Sequence, residues 1–348
     1  MSVHEEIMSS GRYVHGEYTS RLEEKLAELS QRKFAVTTGS CTDALFFALQ
    51  AAGIKDGDEV IVPPFSFVAT LDSILRCGAV PVFVDISSEH YMLDSAKLEE
   101  AVTPRTKAIV LVQLFGNCHP QHQIIREIAQ KHGIPIIEDA AQAVGVMDDN
   151  IPAGKVGDIG CFSFDPTKIV SAYGTGGAAL TDNEDEYWKI KQLANHGLRN
   201  GTPEIAGYNS KISETEAAII LMQIEKLPQT IERMNNAAEK YFSELKDIEE
   251  IALPTKCSTK SNFHKFVIAI DKRDELRNFL KDNDIETKIH YSALLSEQKI
   301  LSGRKFLKHN LSNAENASHE VLSLPIFPSI SEDEITYTSN CIKKFFKS

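Results

Sequence analysis

The feature that most constrains this fold is a repeated pairing of a short apolar run with a following helical pattern. The runs are FAVT at 34–37, EVIV at 59–62, PVFVD at 81–85, AIVLVQ at 108–113 and IPIIED at 134–139. Between them lie CTDALFFALQAAG, LDSILRCGA, LEEAV and IIREIAQKHG, all helix-like. The runs do not alternate polar with apolar residues, so each is expected to be buried on both faces, as in a parallel sheet covered by helices. Residues 20–29 open the series with an amphipathic helix that places Leu22, Leu26 and Leu29 on one face. Ser20 and Glu23 have the spacing of a capping box.

After GCFSF (160–164) and GGAALT (176–181) the pattern changes. One long helical stretch is expected from about Glu214 to about Leu245. FHKFVIAI (263–270), a helix near 273–283, KIHY (288–291) and a closing helix near 332–346 suit a smaller α+β domain. The boundary is placed inside the long helix, giving a large domain over 1–230 and a small one over 231–348. No Pro/Ser-rich linker or repeat intervenes, so rigid packing of the two is expected.

Among 348 residues the formal net charge is −12, which leaves no basic face for nucleic acid. No stretch stays apolar for the ~18 residues that spanning a bilayer needs, and the N-terminus has no cationic segment followed by an apolar one. A soluble, cytoplasmic protein is expected. The six cysteines form no CxxC pair, so they read as reduced thiols, not zinc ligands or a disulfide framework, and no metal site is expected. Cys41 has no base in sequence that would make it a nucleophile.

Ligands of a doubly wound sheet sit beyond the carboxyl ends of its strands, so those ends carry the chemistry. After FAVT, Thr38-Gly39-Ser40-Cys41-Thr42-Asp43 opens a helix whose free N–H groups and dipole can hold a phosphate, although the segment alone also suits an ordinary capped turn. It has neither the GxGxxG nor the GxxxxGK[ST] pattern of nucleotide-binding loops. Glu138 and Asp139 end an otherwise apolar strand, where a carboxylate demands a cation or strong donor: a protonated pyridine nitrogen, a structural Arg or Lys, or a metal. Lys168 follows a strand and a proline turn in SFDPTK, where a lysine can serve as a Schiff-base amine, though a snorkelling surface lysine is commoner. Phe65 and Phe67 could stack on a flat ring or pack in the core. Together these supply a flat, phosphorylated, cationic heterocycle with an anchor, a counter-ion, an amine and a wall, which is what pyridoxal phosphate requires.

The ordered series GSCTDALFFAL, DGDEVIVPPFSFVAT, GAVPVFVDI, TPRTKAIVLVQLFGN, HGIPIIEDAAQAVG, GDIGCFSFDPTK, YGTGGAALTD, GYNSKISETEAAIILMQIEKL and IHYSALLSEQ resembles the DegT/StrS-type family of sugar aminotransferases. The resemblance runs through nearly the whole chain. It implies a fold-type-I pyridoxal-phosphate transferase: a large α/β domain with a mostly parallel seven-stranded sheet, and a smaller C-terminal α+β domain. It further implies that Lys168 carries pyridoxal 5'-phosphate as a Schiff base and shuttles the proton between cofactor and substrate carbons, with pyridoxamine phosphate as the intermediate form. Asp139 would pair with the pyridine nitrogen, Gln142 would bond near the ring hydroxyl, and Phe67 would cover the ring face. Thr42, the Asp43 backbone and Ser163 would hold the phosphate. Asn209 would reach that phosphate from a second subunit, making the active unit a homodimer with shared sites.

The activity so implied is transfer of an amino group from glutamate to a keto-sugar linked to a nucleotide, at carbon 3 or carbon 4, in amino-sugar biosynthesis for surface polysaccharide or secondary metabolites. His290 and Tyr291 would touch the substrate. Two alternatives are a sugar dehydratase of the same fold, in which histidine replaces the lysine, and a catalytically silent binding or sensor protein. Lys168 opposes the first; retention of Lys168, Asp139 and Gln142 together opposes the second. The chain departs from the family pattern at Thr175, Gln113, Lys211 and Ser292, and in beginning close to SGRYVHGEY. Arg199 is one candidate among several for the amino donor's carboxylate.

Overall fold

The computed structural model describes residues 2–347. The seven apolar runs become β1 (Phe34–Thr38), β2 (Glu59–Val62), β3 (Val80–Phe83), β4 (Thr106–Val112), β5 (Ile136–Asp139), β6 (Ile159–Ser163) and β7 (Gly177–Thr181). Further along lie β8 (Phe266–Ala269), β9 (Leu307–Lys308) and β10 (Val321–Leu324). The central sheet runs in the order β1-β7-β6-β5-β4-β2-β3-β9. Only β7 is antiparallel to its neighbours. The sheet therefore has eight strands rather than the expected seven. The extra one pairs Leu307 with Val82 and Lys308 with Phe83, and its two residues in a polar segment are too short to show periodicity.

Helices cover both faces. On one side α3 (Cys41–Ala51) and α4 (Val68–Arg76) pack through Leu45, Phe47, Leu71 and Ile74 against Val60, Val62, Ala108 and Val110. On the other, α5 (Ser95–Ala101) and α6 (His122–His132) bring Leu98, Ile125 and Ala129 against Ile61, Ile109 and Leu111. Consecutive residues of one strand thus enter opposite cores, as the alternation of side chains along a strand dictates. Helix α7 (Glu184–Ala194) packs against α3 and β1, and α11 (Ser312–Glu320) leads into β10. Near β1, Leu22 and Leu26 join Ile220 and Ile224 in a third cluster. Each Val, Leu, Ile or Phe side chain so buried contributes roughly 1.5–3 kcal/mol relative to exposure.

Two helix expectations change. The opening helix is α2 (Glu17–Leu29), preceded by α1 (Val3–Ser10), and its N-cap is Gly16 rather than Ser20. Ser20 donates back to the Gly16 carbonyl, and Glu23 instead accepts from the Thr37 amide and hydroxyl. The orphan amides of α2 are met from far along the chain: Glu214 accepts from Gly16, Tyr18 and Thr19 N–H and from the Thr19 hydroxyl. The long helix is two helices, α8 (Glu214–Glu225) and α9 (Leu227–Leu245), broken at Lys226 because Pro228 lacks an N–H and would strike the carbonyl one turn back.

Residues of α9 enter two cores. Leu227 and Ile231 pack beneath α8, whereas Ala238, Tyr241 and Leu245 pack with Phe266, Leu276, Leu280 and Ile342. The latter core holds the antiparallel β8 and β10, α10 (Arg273–Asp282) and α12 (Glu332–Phe345). KIHY is not a strand; Lys288 makes one bridge to Ser323 and the chain then turns. Among the described residues all six cysteines are free, no acidic, cysteine or histidine group is arranged to hold a metal, and no helix is long and apolar enough to cross a membrane.

Candidate active site

The carboxyl ends of β1, β4, β5 and β6 open onto a cavity of about 680 Å³. Asp139, the last residue of β5, is only 5% exposed. Its Oδ2 accepts from the Thr70 hydroxyl at 2.7 Å and its Oδ1 from the Ala141 amide at 3.2 Å. Ser66 Oγ lies 2.9 Å from Thr70 Oγ1 and completes the chain. Burial pushes the Asp139 carboxyl up, and the two donors together with the Lys168 charge oppose that push. The preceding carboxylate behaves differently. Glu138 is met by Gln113 Nε2 at 2.9 Å and by the Gly154 and Gly157 amides at 2.9 and 3.0 Å. Of the two acids at this strand end, Glu138 is therefore structural and Asp139 faces the cavity.

Lys168 lines the same cavity after the turn that leaves β6, its amide bonded to the Asp165 carbonyl at 2.9 Å. Among the described residues its amine makes no hydrogen bond or ion pair. Phe67, at the N-cap of α4, is 57% exposed and also lines the cavity, while Phe65 is buried in the core. The two aromatics of PPFSF thus divide between wall and packing.

At the phosphate-binding turn, Ser40 caps α3 and accepts from the Asp43 amide at 3.1 Å. That amide, expected to hold phosphate, is already taken, and the Asp43 carboxylate pairs with Arg76 at 2.8 Å and accepts from Ser210 at 2.7 Å. The amides of Cys41 and Thr42 have no acceptor in the helix, and with the Thr42 and Ser163 side chains they border the cavity. Gly177 keeps this cradle open: a Cβ there would collide with the Cys41 amide and Ser40 carbonyl. Cys41 itself is buried and its thiol is pushed well up by that burial and by Asp139, which removes it as a nucleophile.

Gln142 accepts from the Phe115 amide at 2.7 Å and donates to Tyr291 Oη at 3.0 Å, leaving one amide hydrogen for a ligand. Tyr291 and His290 line the cavity. Burial pushes the Tyr291 phenol up, so it stays protonated, and pushes His290 down to about 4, so it is neutral at pH 7 and bonds Ser323 Oγ at 2.8 Å. Asn209 is exposed and outside the cavity, bridged to Asn195. Arg199 is exposed too, its guanidinium 5.4 Å from the Trp188 ring centre, far from any role in this chain's own cavity wall.

Three of the unusual positions have local explanations. Gln113 donates to Glu138 and accepts from the His119 amide at 2.7 Å, so one amide serves both neighbours. Thr175 donates to the Gly39 carbonyl at 2.8 Å, and Lys211 reaches Asn195 Oδ1 at 3.4 Å. Thr70, Lys265 and Lys288 are wall residues that sequence reading missed. The signal for Lys265 was present as a charge inside the apolar FHKFVIAI; Thr70 gave none, being one hydroxyl in a helical turn.

A buried carboxylate, an unpaired lysine amine, a helix terminus with free amides and an aromatic wall at one end of this sheet define a fold-type-I transferase that works with pyridoxal phosphate. The chain belongs to the DegT/DnrJ/EryC1/StrS aminotransferase family, whose model matches residues 1–343. It is 37% identical to a pleiotropic regulatory protein of Geobacillus stearothermophilus over 100% of this chain and 94% of that protein. It is 35% identical to a UDP-N-acetyl-3-dehydro-alpha-D-glucosamine 3-aminotransferase of Acidithiobacillus ferrooxidans over 97% of this chain and 91% of the relative. The solved structure of S. venezuelae DesV in complex with a ketimine intermediate superposes with a TM-score of 0.94 at 31% identity, covering 99% of this chain and 94% of that one. The chain is a sugar aminotransferase, and its cofactor is pyridoxal 5'-phosphate.

Proposed function

We propose that the chain aminates a nucleotide-linked keto-sugar, at carbon 3 in preference to carbon 4, with glutamate as donor and as a homodimer whose sites are shared. The observation that carries this reading is Lys168 and Asp139 lining one cavity, the amine without a protein partner and the carboxylate buried with only two donors. The cofactor, when bound, supplies an electron-withdrawing ring that carries the amino group from donor to acceptor. The residues fit it: Asp139 has a lone pair free for the ring nitrogen, and Thr70 and the Ala141 amide hold that carboxylate in place. Lys168 provides the covalent anchor and then moves a proton at the reacting carbon. The Cys41 and Thr42 amides and Ser163 would hold the phosphate, Phe67 would wall the ring, and the remaining Gln142 N–H would serve the ring hydroxyl. His290 and Tyr291 border the acceptor, and Asn209 completes the partner's phosphate site.

Incubation with glutamate and a panel of 3-keto and 4-keto sugar nucleotides, read by mass spectrometry, tests this. Gain of an amino group on one of them is expected. Amination of a sugar lacking the nucleotide, with none on the linked forms, overturns the nucleotide assignment. The regulatory name of one relative favours a second reading, a sensor that binds without turnover. A cofactor absorption band with no product from any keto-sugar supports that alternative.

A further inference from the structure

The cofactor cavity shares Lys265, Lys288 and His290 with a second cavity of about 420 Å³ on the small domain. The junction is cationic in a chain whose net charge is −12. Lys265 immediately precedes β8, is partly buried, and has no ion pair among the described residues. Its ammonium is pushed down to about 8 by burial and by the charges of Lys168 and Lys288. Lys288 has only a loose contact, 3.7 Å from Glu286, with both side chains largely exposed. Two lysines held near a third, with Asp139 beside Lys168 and only the loose Glu286 contact beside Lys288, still repel one another, and an anion between them would relieve that repulsion. The start of α3 offers a separate cradle for the cofactor's phosphate, so an anion at the junction would belong to another ligand. Beyond the lysines the second cavity turns apolar, lined by Ile285, Ile326, Phe327 and Tyr337, and the last two are 42% and 53% exposed. Its wall also carries Asp284, Glu286 and Glu334, acceptors suited to hydroxyls and N–H groups.

We infer that Lys265 and Lys288 hold a phosphoryl group of the acceptor, with the sugar extending into the cofactor cavity and a nucleoside into the cavity beyond. This rests on the nucleotide-linked acceptor proposed above and assigns two specificity residues to it. A neutral keto-sugar would leave the lysine pair uncompensated, so the site discriminates for phosphorylated acceptors. Two sources of the phosphoryl group, a nucleoside diphosphate and a sugar monophosphate, share this chemistry and differ in their use of the second cavity.

The test is calorimetric titration of the holoenzyme with UDP, uridine, pyrophosphate and inorganic phosphate, in the wild type and in Lys265→Met, Lys288→Met and the double variant. Methionine keeps the length of the stem, and Lys265→Arg checks that charge is what matters. UDP is expected to bind more tightly than uridine, each methionine to weaken UDP by about tenfold or more, and arginine to retain most of the affinity. In the double variant the preference for UDP over uridine should collapse. Equal UDP affinity in wild type and double variant overturns the lysine assignment while leaving the nucleotide acceptor standing. Lysine-dependent binding of pyrophosphate or phosphate with no gain from the nucleoside keeps the assignment, identifies a sugar phosphate as source, and removes the nucleotide reading. No binding of any phosphorylated probe overturns the inference outright.

Discussion

Replacing Asp139 by asparagine separates what this residue does for the reaction from what it costs the fold. The amide can keep the local geometry, accepting from Ala141 and donating to Thr70, which then turns to Ser66. What it cannot do is hold a proton on the ring nitrogen by charge. Loss of one preorganised electrostatic group of this kind costs at least ~10²-fold in turnover, about 2.7 kcal/mol of barrier. Stability should move the other way. Burial raises the folded carboxyl above its ordinary value of 3.8, so with rising pH the unfolded chain gives up this proton first. The apoprotein therefore loses stability as pH climbs from the unfolded value through the raised folded one, and the loss persists at neutrality. Asparagine cannot ionise and escapes it. The Asp139→Asn apoprotein should thus gain in melting temperature relative to wild type between acid and neutral pH, while the wild type gains more on adding cofactor. Steady-state turnover with glutamate and melting curves of both apoproteins from pH 3 to 8, an interval chosen to bracket the value of 3.8, provide the readings. Near wild-type turnover, together with a melting difference that does not change with pH, would refute the reasoning.

Lys168→Ala should abolish covalent attachment of the cofactor; after borohydride reduction of the wild type, peptide mapping that finds the adduct on any other lysine removes the assignment. Mixing inactive Lys168→Ala chains with severely impaired Asn209→Ala chains should restore part of the activity through one intact composite site per heterodimer. If subunit exchange is demonstrated and activity stays absent, shared sites are abandoned. Glu214→Ala strips the acceptor from three amides and a hydroxyl at the start of α2. A loss of about 3 kcal/mol is expected, read as a lower urea midpoint at unchanged slope, and a loss under ~0.5 kcal/mol would show that other acceptors replace the carboxylate.

The layered sheet was legible because burial on both faces leaves unbroken apolar runs, and EVIV and AIVLVQ became central strands with residues alternating between two cores. Asp139 and Lys168 could be picked out because polar groups at the ends of such runs have no packing role. The rest depended on contacts that no local pattern encodes. Ser20 and Glu23 had the right spacing for a capping box, yet a carboxylate from α8 captured the amides first. The sequence offers the Asp43 amide to a phosphate, whereas in the fold that amide donates to the Ser40 hydroxyl three residues earlier. Lys265 shows the converse: its charge within the apolar run FHKFVIAI is visible in sequence, and only the meeting of two cavities around it gives that charge a use.

The way α2 and β1 are secured has a consequence during synthesis. Among the described residues β1 pairs with β7 alone, through registers such as Phe34 with Thr181, and α2 obtains its cap from Glu214. Both elements must therefore wait for partners that are synthesised well over a hundred residues later. At ordinary elongation rates that interval is roughly ten to forty seconds, during which an amphipathic helix and an unpaired apolar strand remain exposed. A nascent chain of this design should hold chaperones on α2 and β1 until the segment bearing Glu214 has emerged, then release them as both elements close together.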